Sequence, residues 1–297
     1  GDALSMDPHS LNESFQLAFT GNIYEPLIGR GKKLEVVPIL ATDWKQTAPT
    51  VWRFNLRKGV LFHDGTPFTA DDVIFSYNRA KGEGSDVKTF VGSIKEIRKI
   101  DDYTIDMITI EPFPILPDVI TQWSMMSKSW CEKNKAVQPV DKRKGTENTA
   151  SFQANGTGPY RLRSRDPNIR TTLQRNAGYW GKIEGNVQDV IFTPIGNNAT
   201  RVAALLSGEV DMMEPVPVQD IARISADKNL KVVQAPEPMH RCRSTRGCSD
   251  GGSAPSCSTS SLAPRAASST RPARRTLASV RPAMNTRPAT STRPRRT

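Results

Sequence analysis

Val51-Trp-Arg-Phe-Asn-Leu-Arg-Lys-Gly-Val-Leu-Phe-His-Asp-Gly-Thr-Pro-Phe-Thr-Ala-Asp-Asp-Val73 is the stretch on which the reading of this chain turns. Trp52, Phe54 and Leu56 alternate with Arg53, Asn55 and Arg57, the period of two that marks a strand with one buried and one wet face. Phe62-His-Asp-Gly65 carries turn chemistry. Thr69, with Asp72 three residues on, then caps a helix bearing Val73, Ile74, Tyr77 and Ala80. Asp71 and Asp72 sit at the positive end of that helix dipole, so the acidic pair reads as a helix start and not as catalytic carboxylates. A strand handing over to a helix through a short turn points to an α/β fold with α+β mixing.

The same alternation continues on both sides. Upstream, Ser10 and Glu13 have the spacing of a capping box, and Leu11, Phe15, Ala18 and Phe19 recur at helical intervals up to Gly21. A strand is expected at Leu34–Val37, and Gly29-Arg-Gly31 reads as a turn because it lacks the third glycine of a phosphate-binding loop. Downstream, a hairpin is expected with arms at Ile94–Ile100 and Tyr103–Ile110, ended by Pro112, Pro114 and Pro117. Residues 133–149 read as a solvated loop. Gly156-Thr-Gly-Pro-Tyr160 forces a tight turn, read here as a use of the conformational freedom of Gly158. Strands follow at Tyr160–Arg163, Thr171–Arg175 and Val187–Phe192. Asn198 then caps a helix stopped by Gly208, and a strand at Val210–Met213, a helix at Val218–Ser225 and a strand at Leu230–Val233 end the readable part.

Beyond Pro238 the composition changes abruptly. Met239–Thr297 holds twelve Arg, no Lys and one acidic residue, whereas Gly1–Pro238 balances 29 Lys plus Arg against 29 Asp plus Glu, so the formal charge of +11 belongs to the tail. Its only branched aliphatic residues, Leu262, Leu277 and Val280, are too few to offset ordering entropy of about 1–2 kcal/mol per residue, and the tail is expected to be disordered. Three origins fit an Arg/Ala/Ser/Thr/Pro/Gly segment: a GC-rich gene read out of frame, a natural low-complexity tail, or a polyanion-binding arm that releases counterions from phosphates. The first fits the abrupt change best. Without the tail, nothing in the charge balance calls for a nucleic-acid partner.

No catalytic constellation emerges from spacing. His9, His63 and His240 stand apart from nucleophiles, Cys131 has no histidine near it in sequence, and Cys242, Cys248 and Cys257 lack the short knuckle spacing that pre-positions thiolates around zinc. A hydrolase-like enzyme would need a clustered nucleophile and base. Neither it, a metal site nor a cofactor is expected. No apolar run approaches the roughly 18 residues a spanning helix requires. The chain starts on Gly1 and shows no signal peptide, which reads as a processed product or a fragment.

The order of short segments resembles the large solute-binding proteins that serve peptide and nickel ABC importers. The matching pieces are Asp7-Pro8, Ile23-Tyr-Glu-Pro-Leu27, Ala41-Thr-Asp-Trp44, Trp52 to Val60 and Phe62 to Val73. They continue with Asn155-Gly-Thr-Gly-Pro-Tyr160, Arg175-Asn176, Tyr179-Trp180, Arg201 to Leu205 and Ser207-Gly-Glu-Val-Asp211. The dipeptide and oligopeptide branch is the nearest in pattern.

The resemblance implies a periplasmic-binding-protein-like first lobe, with residues 1–40 and 187–238 as its core subdomain, residues 41–186 as an insert, and the second lobe missing. It implies a monomeric, non-enzymatic carrier in the periplasm or cell envelope, delivering a small solute to a membrane permease. A di- or oligopeptide is the expected solute, with nickel complexes and other solutes open as alternatives. Asn12, Phe15 and Leu17 on the first helix, and Trp123, are the implied solute-facing residues. A cleft of this kind grips its solute from both sides, so a one-lobed chain is expected to bind weakly.

Overall fold

The computed structural model describes residues 2–183, 185–236 and 274–280. Contacts divide the chain into two compact units, Gly1–Pro194 and Ile195–Thr297. The first unit spans both expected subdomain boundaries, 40/41 and 186/187. The first residues are tied by hydrogen bonds to the middle of the chain, with Met6 N–H on the Ser151 carbonyl at 3.1 Å and Gly158 N–H on the Ile23 carbonyl at 2.8 Å.

Among its described residues the first unit contains nine strands. They are β1 (Ile28–Arg30), β2 (Val36–Pro38), β3 (Ala41–Ala48), β4 (Val51–Leu56), β5 (Ile94–Asp101), β6 (Thr104–Thr109), β7 (Tyr160–Asp166), β8 (Arg170–Arg175) and β9 (Asp189–Phe192). Its helices are α1 (Ser14–Thr20), α2 (Ala70–Ala80), α3 (Lys88–Val91), α4 (Leu116–Val119), α5 (Lys128–Lys133) and α6 (Thr149–Phe152). A four-stranded antiparallel sheet runs β3-β4-β6-β5, a three-stranded one β7-β8-β9, and β1 pairs with β2.

The alternation in Val51–Leu56 does what the sequence required. Phe54 and Leu56 enter the core with Ile105 and Met107 of β6, while Arg53 pairs with Asp106 at 2.7 Å on the wetter face. Helix α2 starts as expected, the Asp72 carboxylate accepting the Thr69 N–H at 2.9 Å, and packs Val73 and Tyr77 into the same core. A second core gathers Met6, Phe19, Ile23, Tyr24 and Leu173.

Several local expectations are corrected. Helix α1 starts at Ser14 with Glu13 as N-cap and no capping side chain, because Ser10 is buried behind it instead of capping it. Leu34 lies in a turn with φ 67°, so the expected strand at 34–37 is shortened to β2, and Gly29 belongs to β1. Gly158 has no positive φ. Gly156 and Gly158 are needed for a close approach, since a Cβ on either would fall against the Ile23 carbonyl.

The second unit holds α7 (Asn198–Leu206), α8 (Ile221–Ser225), β10 (Met212–Met213), β11 (Leu230–Pro236) and β12 (Arg274–Val280). Asn197, not Asn198, caps α7, its side-chain oxygen accepting the Thr200 N–H at 3.0 Å, and Gly208 ends the segment with φ +76°. Val202, Leu205, Met213, Val216 and Ile224 form the core. Where sequence placed no element, residues 274–280 pair antiparallel with both β10 and β11. Backbone pairing needs only extended chain with a free N–H and carbonyl, which an Arg/Ala/Ser/Thr segment supplies. His240, Cys242, Cys248, Cys257 and the rest of the tail lie outside the described residues. Among the described residues no helix is long and apolar enough to cross a membrane.

Candidate functional site

The chain ahead of α1 is a strap fixed at many points. The Asp7 carboxylate and the Arg79 guanidinium meet face to face, with Nη1 to Oδ1 at 2.8 Å and Nη2 to Oδ2 at 2.5 Å, and both side chains are fully buried. Burial alone would raise the Asp7 carboxyl, but the guanidinium outweighs it and holds it below the ordinary range. Arg79 also donates to the Ala136 carbonyl at 3.0 Å, joining the strap, α2 and the end of α5. The His9 Nε2 lies 2.9 Å from the Ser124 carbonyl. Asp86 donates its N–H to the His9 carbonyl at 2.9 Å, and its carboxylate accepts the Asn12 N–H at 2.9 Å.

These anchors lay the strap beside residues 22–26 and 123–127. Met125 donates to the Glu25 carbonyl at 2.9 Å, and Pro26 bridges Ser124 in antiparallel fashion. The four residues singled out in sequence thus come from two neighbouring segments, but their environments differ. Asn12 and Leu17 are half-buried. Phe15 is half-buried against Phe19 and Phe192, with ring centroids at 6.2 and 5.5 Å. Trp123 is only 1% exposed, part of the core around the four-stranded sheet, and its indole N–H is buried without an acceptor.

Glu25 is a buried hub that spacing did not reveal. Its carboxylate accepts from the Thr157 hydroxyl at 2.8 Å, the Tyr179 hydroxyl at 2.7 Å and the Trp180 indole N–H at 2.8 Å. The Arg57 guanidinium lies over the Trp180 ring, 4.3 Å from its centroid. Burial raises the Glu25 carboxyl although all three donors oppose the shift. Its share of stability is therefore present in acid and is lost as pH rises through the folded value. Glu25→Gln would leave one carbonyl oxygen for three donors and turn an amide N–H toward them. A cost of about 1–3 kcal/mol is expected. Urea unfolding checks it, and an unchanged midpoint would mean the hub is dispensable.

None of these groups is poised for proton transfer to a substrate. Asp7 is locked to Arg79, the Glu25 oxygens are occupied, and burial pushes the Cys131 thiol up to about 12, so it stays protonated. Burial likewise lowers His63 to about 4, and its Nε2 lies 2.9 Å from the Gly158 carbonyl, docking the 62–65 turn on the 155–158 turn. What the arrangement does is hold three distant segments in register beneath a surface formed by the strap and α1. Asp7, Glu25, Tyr179 and Trp180 stood in the sequence only as pieces of matching motifs; no local pattern pointed to His9, Arg79 or Ser124.

The family profile described as bacterial extracellular solute-binding proteins, family 5 Middle, matches residues 35–242. Among curated proteins, the glutathione-binding protein GsiB of Escherichia coli O157:H7 is 26% identical over 242 residues, covering 80% of this chain and 45% of the relative. The Salmonella typhi protein of the same name gives the same figures. The chain spans about half the length of the curated relatives it matches. Among solved structures, the periplasmic binding protein DppA from Helicobacter pylori, in complex with the peptide STSA, has TM-score 0.66 and 28% identity, covering 77% of this chain and 48% of that one. NikZ from Campylobacter jejuni, in complex with Ni(L-His), has TM-score 0.69 at 20% identity, covering 79% and 45%, a likeness of fold.

Proposed function

Because this chain belongs to the bacterial extracellular solute-binding proteins of family 5, we propose that it forms part of the solute-capturing component of an ABC importer. Its cargo on this reading is a di- or oligopeptide, delivered in the periplasm or cell envelope to a membrane permease. The peptide assignment draws on the 28% identity to DppA, whose structure holds a peptide. The observation that carries the reading is the strap. A dense set of buried anchors fixes the surface bearing Asn12, Phe15 and Leu17, as capture of a solute without loss of affinity to ordering requires. Trp123, closed to solvent, serves this site by setting the position of the 123–127 segment behind that surface.

On this reading the surface of the strap and α1 supplies one side of a closed cleft, and weak binding by that surface alone is expected. With the peptides Met-Leu and STSA at concentrations up to about 10 mM, the amide resonances of Asn12, Phe15 and Leu17 are expected to shift saturably. No shift with either peptide, or shifts confined to other residues, would remove the peptide reading. Calorimetry giving a sub-micromolar dissociation constant would refute the one-sided picture.

A further inference from the structure

We infer that the strap is an acid-sensitive latch and that the imidazole of His9 is its catch. His9 is fully buried, and its backbone N–H is held by Asp7 Oδ1 at 2.9 Å. The contact of Nε2 with the Ser124 carbonyl requires a proton on Nε2, because a carbonyl can only accept. A second proton must therefore go to Nδ1, which is buried and has no hydrogen-bonding partner.

Of the charged groups around the ring only Asp7 favours that proton, and burial together with Arg79 outweighs it. On the strap itself, Asp7 already carries the two-pronged pair with Arg79, and Arg79 of α2 brings a positive charge close to the imidazole. Asp86, just after the α2 segment, turns its backbone N–H to the His9 carbonyl and gives its carboxylate to Asn12 and Arg143. The Ser124 segment contributes a carbonyl. Glu25, paired with that segment through its backbone, has its carboxylate committed to Thr157, Tyr179 and Trp180. Cys131 and Tyr24 face the Asp7–Arg79 pair as neutral acids. An imidazolium is compatible with this chain only when the strap lifts and Nδ1 reaches water.

Burial and then Arg79 bring His9 from 6.5 down to about 4 in the closed strap, whereas the lifted ring returns to its ordinary range. The neutral ring dominates both states above 6.5, so the latch is shut there. As pH falls from 6.5 toward 4 the open state takes up the proton first and gains population. The strap runs directly into α1, so lifting it moves Asn12, Phe15 and Leu17. That consequence, loss of solute in acid, rests on the proposed function; the latch itself does not.

The test is hydrogen exchange on the full chain, followed at the amides of Asp86 and Asn12, which the strap closes. Their protection factors are expected to fall roughly 20- to 30-fold between pH 7.5 and pH 5, while Phe54 and Ile105 in the four-stranded sheet hold theirs. His9→Gln can still donate an amide N–H to Ser124 but does not titrate, and its protection is expected to stay level. His63→Gln is expected to keep the fall. A level profile in the parent, or an equal fall in His9→Gln, overturns the latch. Should His9→Gln not fold, the ring resonances of the parent decide. His9 must protonate in step with the loss of protection, and a ring that stays neutral while the amides open overturns the idea. A chain that shows the fall yet binds no peptide sustains the latch and removes only the solute reading.

Discussion

Replacing Arg79 by methionine is expected to destabilise the first unit by about 3–5 kcal/mol, because it strips the counter-charge from a carboxylate that has no route to water. Both partners are fully buried, and the other basic group set against Asp7 among the described residues, His9, is kept neutral by burial at neutral pH. The substitution also frees the Ala136 carbonyl, which Arg79 Nε now satisfies at 3.0 Å. Two controls separate the charge from the packing. Pairing the change with Asp7→Leu removes the stranded charge and should recover much of the loss, since a buried ion pair is worth little more than apolar groups of similar volume. In the single variant an unpaired buried carboxyl has a raised folded value, so its deficit should shrink as pH falls and the group becomes neutral. Urea midpoints at neutral and acid pH read both effects. A double variant no more stable than the single one would show that Arg79 acts through its hydrogen bonds to the chain and not through Asp7.

Gly156→Ala is the second large effect, at about 3 kcal/mol or more. The added Cβ would fall on the Ile23 carbonyl, 2.7 Å from its carbon and 3.0 Å from the Tyr24 ring. The obstacle is backbone, which cannot rotate away as a side-chain end would. Moving it would disturb the bonds that join these segments, Gly158 N–H to the Ile23 carbonyl at 2.8 Å and Tyr160 N–H to the Asn22 carbonyl at 3.0 Å. Gly92→Ala is the matched control. Its Cβ meets only the Lys88 carbonyl at 3.4 Å, and Gly92 already has helical angles of φ −64° and ψ −29°. It should be neutral or stabilising by about 0.4–1 kcal/mol through the unfolded chain. Thermal or urea unfolding with equal losses for both variants would count against the close-approach account.

The two effects share an origin that local reading misses. A Gly-Thr-Gly-Pro run looks like turn chemistry, and the turn exists, but the reason for glycine at 156 and 158 is a segment more than a hundred residues upstream. Ser10 and Glu13 have the right spacing for a capping box. Packing took Ser10 inward, and α1 starts at Ser14 with no side-chain cap. Trp123 looks, among Gln122, Ser124 and Met125, like the wall of a cleft; its ring is in the core, while the backbone of its neighbour Ser124 holds His9. By contrast, the strand at Val51–Leu56, the Thr69–Asp72 helix start, the 94–109 hairpin and the helix stop at Gly208 were legible. Each depends on alternation or capping within a few residues.

The sequence by itself therefore determined β4, the start of α2, the β5–β6 hairpin and the stop at Gly208, the charge balance of the part before Met239, and a family resemblance that the family profile bears out over residues 35–242. These rest on short-range periodicity and on the succession of motifs along the chain. Tertiary structure alone decided which buried charges meet. Asp7 with Arg79, His9 with Ser124, and Glu25 with Thr157, Tyr179 and Trp180 are separated by 72 to 155 positions. No local pattern encodes such partners, because a polar group taken out of water is satisfied by whatever the packing of the whole unit brings within reach.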